Sequence, residues 1–331
     1  MIGSAGREQE VAMSHAAARQ IDPGMIPVVD IGPLRDGSAP QAVARALHRA
    51  SREVGFIYIS NHGIPDAALA AWREAALAFF RQPAAAKQAV RVSPKHRGWI
   101  AAGGARMRDD ARPDLKESFV WGYQDPEGNT PEDHPLRGAN RWPPDPAFRA
   151  AALGWFEAAH RVAGELMRGF ALGLGLDADF FLGRGGAPMS RGSFVYYPPQ
   201  PDDAGGEQFG VGPHTDFGVL TVLAQDDVGG LQVQDLQGEW VAAPPIPGTL
   251  VVNVGDLLAR WTNDAYRSTP HRVVNSSGRE RLSMVLAYDP EPDTLIDPRA
   301  VFGPDVETAY APTTCGDYLE WRFAKAFDYR R

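Results

Sequence analysis

His214-Thr215-Asp216 places an imidazole and a carboxylate two residues apart, so an extended backbone turns both to the same side. A pair of this kind arises by chance in a chain of this size, and alone it reads as a surface loop. His271 changes that reading, because it opens a later β-type run, His271-Arg272-Val273-Val274. Antiparallel strands in a closed sheet can set such distant positions side by side. Two imidazoles and one carboxylate leave three coordination positions open, the facial set of non-haem Fe(II) chemistry rather than a closed structural zinc site. Further on, Arg281-Leu282-Ser283 puts a guanidinium and a hydroxyl on one face of a strand. An arginine turned into a barrel is costly unless it meets an anion, and its planar fork suits a carboxylate; on an exposed sheet face it would be ordinary.

Those groups need a sheet to hold them, and the second half of the chain supplies short β-type runs. They are residues 193–197, 218–223, 231–233, 240–242, 249–253, 271–274 and 281–288, most of them separated by turn residues. Many short strands at such spacing mark a sandwich or barrel, and a double-sheet jelly roll hides its edges. Ahead of them lie a strand at 26–30, a helix at 42–54 feeding a strand at 55–60, and a helical stretch from Pro65 through Phe80. Phe148, Leu153, Phe156, His160, Val162, Leu166 and Phe170 form the stripe of one long amphipathic helix over 146–174, expected to brace the sheet. Residues 93–146 are rich in Gly, Pro, Asp and Arg without periodicity and are expected to be connecting loops. A helix over 313–327 closes the chain.

The expected architecture is mainly β with α: a double-stranded β-helix (jelly roll) core at about 189–292, braced by N-terminal and C-terminal helices. Residues 1–24 read as a flexible tail, with Met13 an alternative start, and 25–331 as a single domain. Gly173-Leu174-Gly175 and Gly183-Arg184-Gly185-Gly186 lack the strand-to-helix context of a dinucleotide fingerprint. Neither a nucleophile-elbow nor a Walker lysine motif is present.

Composition narrows the function classes. With 331 residues, 44% of them hydrophobic, the chain can bury a large core. A formal charge of −8 gives no general attraction for nucleic acid or an anionic membrane, which points to a small-molecule substrate. No apolar run approaches the ~20 residues of a membrane span, and the start lacks the apolar core of a signal peptide. The single cysteine, Cys315, fits a reducing compartment, so the cytoplasm is the expected location. It also leaves His and carboxylates as the available metal ligands. No motif bears on oligomeric state.

Taken in order, these segments resemble the iron- and 2-oxoglutarate-dependent dioxygenases of the isopenicillin N synthase-like family, nearly end to end. Ile26-Pro27-Val28-Val29-Asp30 and the stretch from Gly55 to Ile64 look like its N-terminal region. Asp114-Leu115-Lys116-Glu117-Ser118-Phe119 and Asn140-Arg141-Trp142-Pro143 are similar to its middle markers. Tyr196-Tyr197-Pro198, Pro213 to Gly218, Gly230-Leu231-Gln232-Val233, Asn253-Val254-Gly255-Asp256 and Ser268 to Val273 follow its barrel.

The resemblance implies that His214, Asp216 and His271 are iron ligands. It implies that Arg281 and Ser283 bind the distal carboxylate of 2-oxoglutarate, with Tyr197 helping through its phenol. Fe(II) would use O2 and 2-oxoglutarate as co-substrates, release succinate and CO2, and oxidise a C–H bond of a second molecule, most simply by hydroxylation. No catalytic residue beyond the metal ligands is expected. Plant relatives often carry Asn where Val195 stands, so a polar contact there is missing. Two alternatives stay open: an oxoglutarate-independent Fe(II) oxidase of the same family, against which Arg281 and Ser283 argue, and a non-catalytic small-ligand-binding barrel. Among bystanders, His62 is expected to be structural and Asp256 to cap a helical turn at 257–261. Arg106, Phe119, Phe217 and Phe323 are candidates to line a substrate pocket.

Overall fold

The computed structural model describes residues 25–104, 114–183, 185–199 and 209–327. The expected tail, residues 1–24, and Arg106 lie outside them. The chain enters through β1 (Val28–Asp30), α1 (Gly32–Arg35), α2 (Pro40–Glu53), β2 (Phe56–Ser60), α3 (Asp66–Phe80) and α4 (Ala84–Gln88). Pro40 opens α2 where its missing N–H has no intrahelical partner to lose, and Val43, Leu47 and Ala50 form the buried stripe.

β3 (Gly98–Ile100) and β4 (Glu117–Gly122) come next, inside the stretch expected to be loops. That expectation is corrected for a physical reason. Ser118 through Gly122 are all buried because β4 is covered on both faces, and a strand covered on both faces shows no polar-apolar alternation. α5 (Pro146–Gly173) follows, its first turn capped by Asp145, whose side chain accepts from the Ala147 N–H at 2.9 Å. It buries Phe148, Trp155, Val162, Leu166 and Phe170, the brace its periodicity predicts.

The second half runs through β5 (Arg191–Tyr197), β6 (Val211–His214), β7 (Leu220–Ala224), β8 (Leu231–Gln234), β9 (Trp240–Ala242) and β10 (Thr249–Val254). After α6 (Asp256–Trp261) come β11 (His271–Val273), β12 (Arg281–Tyr288), β13 (Leu295–Ile296), α7 (Pro298–Phe302), β14 (Thr313–Thr314) and α8 (Cys315–Ala326). β7 begins two residues later than expected, because the Val219 N–H donates to Asp289 Oδ1 (3.0 Å) instead of to a strand. α8 likewise starts at Cys315, where Thr314 Oγ1 caps it by accepting from the Asp317 N–H at 3.1 Å.

Among the described residues the main sheets are an eight-stranded one, in the order β1-β2-β10-β7-β12-β5-β4-β3, and a four-stranded one, β6-β11-β8-β9. This is the jelly-roll core. One face of the large sheet, with Leu282, Met284, Leu286, Phe194, Val222 and Val252, joins the helices in the main apolar core. On the other face Val195, Tyr197, Leu223 and Val251 meet Val211, Leu231, Val233 and Val273 from the small sheet. The space between the sheets holds the site.

Candidate metal centre

β6 ends on His214 and β11 begins on His271, and the antiparallel register sets the two directly opposite each other. Their ring centroids are 4.2 Å apart. Asp216 lies two residues past the end of β6, with Oδ1 3.7 Å from Nε2 of His214 and 3.7 Å from Nε2 of His271. One ligand atom from each of the three falls within 4.8 Å of the others.

Hydrogen bonds orient all three. Nδ1 of His214 lies 2.8 Å from the Gly212 carbonyl, and Nδ1 of His271 lies 3.2 Å from the Thr269 carbonyl. A carbonyl only accepts, so each Nδ1 carries the proton and each Nε2 presents a lone pair to the site. Asp216 Oδ2 accepts from Thr221 Oγ1 at 2.6 Å and from Asn253 Nδ2 at 2.8 Å, which leaves Oδ1 turned toward the imidazoles. Thr221 and Asn253 are register partners on β7 and β10. Neither was a sequence candidate. Their one signal is a polar side chain at an inward position of an otherwise apolar strand.

Burial, with the adjacent His271 and then Lys116 adding to it, pushes the His214 imidazole down to about 3, so its ring is neutral at ordinary pH. Burial opposes ionisation of Asp216, but the neighbouring His271 and His214 and the bonds from Asn253 and Thr221 outweigh it and hold that carboxyl below its usual range. Two imidazole nitrogens and one carboxylate oxygen, each oriented by hydrogen bonds, fit a divalent metal with open positions.

The same cavity, about 230 Å³, is lined by Tyr197, Arg281 and Ser283. Arg281 is 1% exposed. Its Nε donates to the Gly229 carbonyl, its Nη1 to Ser283 Oγ at 2.6 Å, and its carbon lies 4.7 Å from the centre of the Tyr197 ring. Among the described residues no carboxylate lies within the 4.0 Å of an ion pair with it. The Tyr197 ring thus faces the guanidinium. The Gly229 carbonyl is aimed by a turn that needs glycine: Gly230 has φ +90°, and a Cβ there would sit 2.3 Å from the Val274 carbonyl oxygen.

Phe217 and Phe323 line the cavity as expected, their rings edge to face at 5.9 Å. Phe119 does not. It is fully buried on the helix side of β4 against Phe79 and Phe148, because only the alternate residues Ser118 and Val120 face inward. His62 is buried beyond β2, where its Nδ1 accepts from the Ile64 N–H at 3.2 Å, the structural role expected of it.

Asp256 is not a cap: Gly255 occupies the cap position of α6 without a side-chain bond. The Asp256 carboxylate instead accepts from Ser268 Oγ (2.6 Å), Thr215 Oγ1 (3.3 Å) and Arg322, tying α8 to the segments that carry Asp216 and His271. Arg191 is a further cavity residue with no sequence signal of its own. It pairs at 3.0 Å with Asp289, whose carboxyl burial pushes up.

The family model of the 2OG-Fe(II) oxygenase superfamily matches residues 193–290, and that described as non-haem dioxygenase in morphine synthesis N-terminal matches residues 26–145. A 2-oxoglutarate-Fe(II) type oxidoreductase of Metarhizium rileyi is 34% identical, over 92% of this chain and 88% of its own length. A homoarginine-6-hydroxylase of Glycine max is 33% identical, over 82% and 88%. Among solved structures, a full-length Neurospora crassa protein in complex with alpha-KG and thymine superposes with a TM-score of 0.81 at 29% identity, covering 92% of this chain and 98% of that one.

Proposed function

The chain belongs to the 2OG-Fe(II) oxygenase superfamily, and on that premise we propose that His214, Asp216 and His271 hold Fe(II) while Arg281 and Ser283 hold the distal carboxylate of 2-oxoglutarate. The enzyme is an Fe(II)- and 2-oxoglutarate-dependent dioxygenase that oxidises a small organic molecule and releases succinate and CO2. Bound iron with 2-oxoglutarate and O2 supplies the oxidising power; the protein supplies position. Backbone carbonyls at Gly212 and Thr269 keep both imidazoles in the tautomer that offers Nε2, and Thr221 with Asn253 fixes which carboxylate oxygen faces the metal. Tyr197 lies with its ring against the guanidinium, and its phenol is placed with Arg281 and Ser283 in the set that takes 2-oxoglutarate, while Phe217 and Phe323 line the chamber.

The observation that carries the residue assignment is Arg281, a buried cation with no anionic partner among the described residues, aimed into the cavity of the His-Asp-His group. Its planar fork suits the distal carboxylate of 2-oxoglutarate. One hydrophobic core joins Val29 to Phe327, which supports reading 25–331 as one domain. The buried free Cys315 supports a cytoplasmic setting, and among the described residues no helix is long and apolar enough to cross a membrane. The deciding test is succinate release as a function of added Fe(II) and 2-oxoglutarate. Turnover that needs both and is lost in Asp216→Ala is expected; near-normal turnover and iron content in that variant would overturn the ligand assignment.

A further inference from the structure

Among the described residues three cations line the cavity, Lys116, Arg191 and Arg281, and they are not in the same state. Arg281 has its proposed occupant. Arg191 lies 3.0 Å from Asp289, donates to the Met189 carbonyl at 3.1 Å and lies over the Phe323 ring at 4.7 Å. Lys116 is different. Its side chain is 12% exposed, and its one ion-pair contact among the described residues is Asp114 Oδ2 at 3.4 Å, longer than a hydrogen bond to an ammonium. Asp114 uses its Oδ1 for the Gly212 N–H at 3.0 Å and leaves its buried Oδ2, the atom facing Lys116, without a hydrogen-bond partner.

Lys87 shows what a structural lysine looks like in this fold. It reaches Glu117, the residue after Lys116, on the opposite face of the same segment. There its Nζ donates to the Phe80 carbonyl at 2.9 Å and to both Glu117 oxygens at 2.9 and 2.6 Å, and all three N–H bonds are used. Strand alternation sends Glu117 to the helices and Lys116, Ser118 and Val120 inward. Lys116 therefore carries N–H donors into the cavity that the described residues around it do not satisfy.

The space beside it is small and mixed in character. A pouch of about 140 Å³ adjoins the main cavity and shares with it His96, Lys116, Val120, Ser193, Val195 and Phe327. Its polar end is Lys116 with Asp114 beside it, and its wall on the α8 side is aromatic, with His96 4.6 Å from Phe323 and 4.7 Å from Phe327.

We propose that Lys116 anchors the prime substrate, which is a compact organic molecule bearing a carboxylate. The carboxylate meets the ammonium in the pouch, the carbon skeleton lies along Val120, Val195 and the aromatic wall, and a C–H bond is left facing the His-Asp-His group. Lys116 is thus a specificity-determining residue. This inference rests on the dioxygenase reading of the site.

The test uses the full chain saturated with 2-oxoglutarate and Zn(II), a redox-inert stand-in that stops turnover. Compact aliphatic and aromatic carboxylic acids, each beside its primary amide, are titrated by ligand-observed NMR. The expected result is that acids of one skeleton class bind ~10- to 100-fold more tightly than their amides, the range for a charge-assisted bond. Lys116→Met removes that preference, Lys116→Arg keeps most of it, and neither changes 2-oxoglutarate affinity. Lys116→Gln, read with circular dichroism, covers the case in which Lys116→Met does not fold. Equal binding of acid and amide, a preference that survives Lys116→Met, or acids that bind solely by displacing 2-oxoglutarate each overturn the proposal. Failure of the underlying reading looks different: the wild-type protein then shows no 2-oxoglutarate binding that depends on Arg281.

Discussion

Along β12, Leu282, Met284 and Leu286 turn toward the helices, while Arg281, Ser283, Val285 and Ala287 turn toward the cavity. The same backbone thus carries two surfaces with opposite demands. The helix side is apolar and covered by α5, so its residues contribute by filling volume. The cavity side mixes apolar walls with polar groups, and most of those are tied to a named partner that balances them. Arg281 is the exception, and Lys116 has one long ion-pair contact, to Asp114 at 3.4 Å, and no hydrogen bond among the described residues. A closed apolar face stabilises and is indifferent to ligand; a polar face with unsatisfied members is costly until something binds.

Substitutions on the two faces should therefore separate function from stability. The largest effect is expected for Asp216→Ala, which removes the anionic ligand and should abolish turnover and iron retention while circular dichroism stays native. Next comes Arg281→Leu. Losing a charge-assisted contact in a partly dry pocket should cost about 2–5 kcal/mol, seen as a rise of tens- to thousands-fold in the 2-oxoglutarate KM with iron occupancy kept. Arg281→Lys should recover part of that, and Ser283→Ala should cost less, about 1–3 kcal/mol. An unchanged 2-oxoglutarate KM in Arg281→Leu would remove the basis for contrasting the two faces.

Leu286→Ala, on the helix face of the same strand, should do the reverse. Urea unfolding should show a loss of about 2–5 kcal/mol, with KM for 2-oxoglutarate unaltered below the unfolding temperature. Asn253→Ala, which removes a hydrogen bond to Asp216 Oδ2, should weaken iron binding by about 10- to 100-fold and leave 2-oxoglutarate saturation largely intact.

The smallest effect, absent at neutral pH, concerns His160 on α5. Burial pushes its imidazole down to about 4, and it packs against Phe156 and Tyr288. Its ordinary value is near 6.5, so between that pH and about 4 the unfolded chain binds a proton that the folded one refuses. Stability from this group is therefore present above pH 6.5 and falls as the pH drops toward 4, by at most about 2–3 kcal/mol. His160→Phe keeps the ring contacts and should flatten that part of the acid limb in urea titrations at successive pH values. An identical acid limb in both proteins would show that this part of the helix face does not respond to pH.

Periodicity made much of this legible beforehand. The stripe of α5 and the inward pairing of Arg281 with Ser283 follow from repeats of 3.6 and 2 residues, which are properties of the local chain. Coverage on both faces erased that signal in β4, so its strand went unseen and Phe119 was set on the wrong side.

By itself, then, the sequence determined the residue types of the candidate site, most of the strands in the second half and the placing of Arg281 and Ser283 on one face, because residue chemistry and short-range spacing carry those. Only the tertiary structure decided that His271 lies opposite His214, that Thr221 and Asn253 hold one oxygen of Asp216, and that Asp256 ties α8 to the ligand segments. It also decided that Arg281 and Lys116 face one cavity in different states of pairing. These are contacts between strands far apart in the chain, fixed by sheet register and by what each buried polar atom finds as a partner.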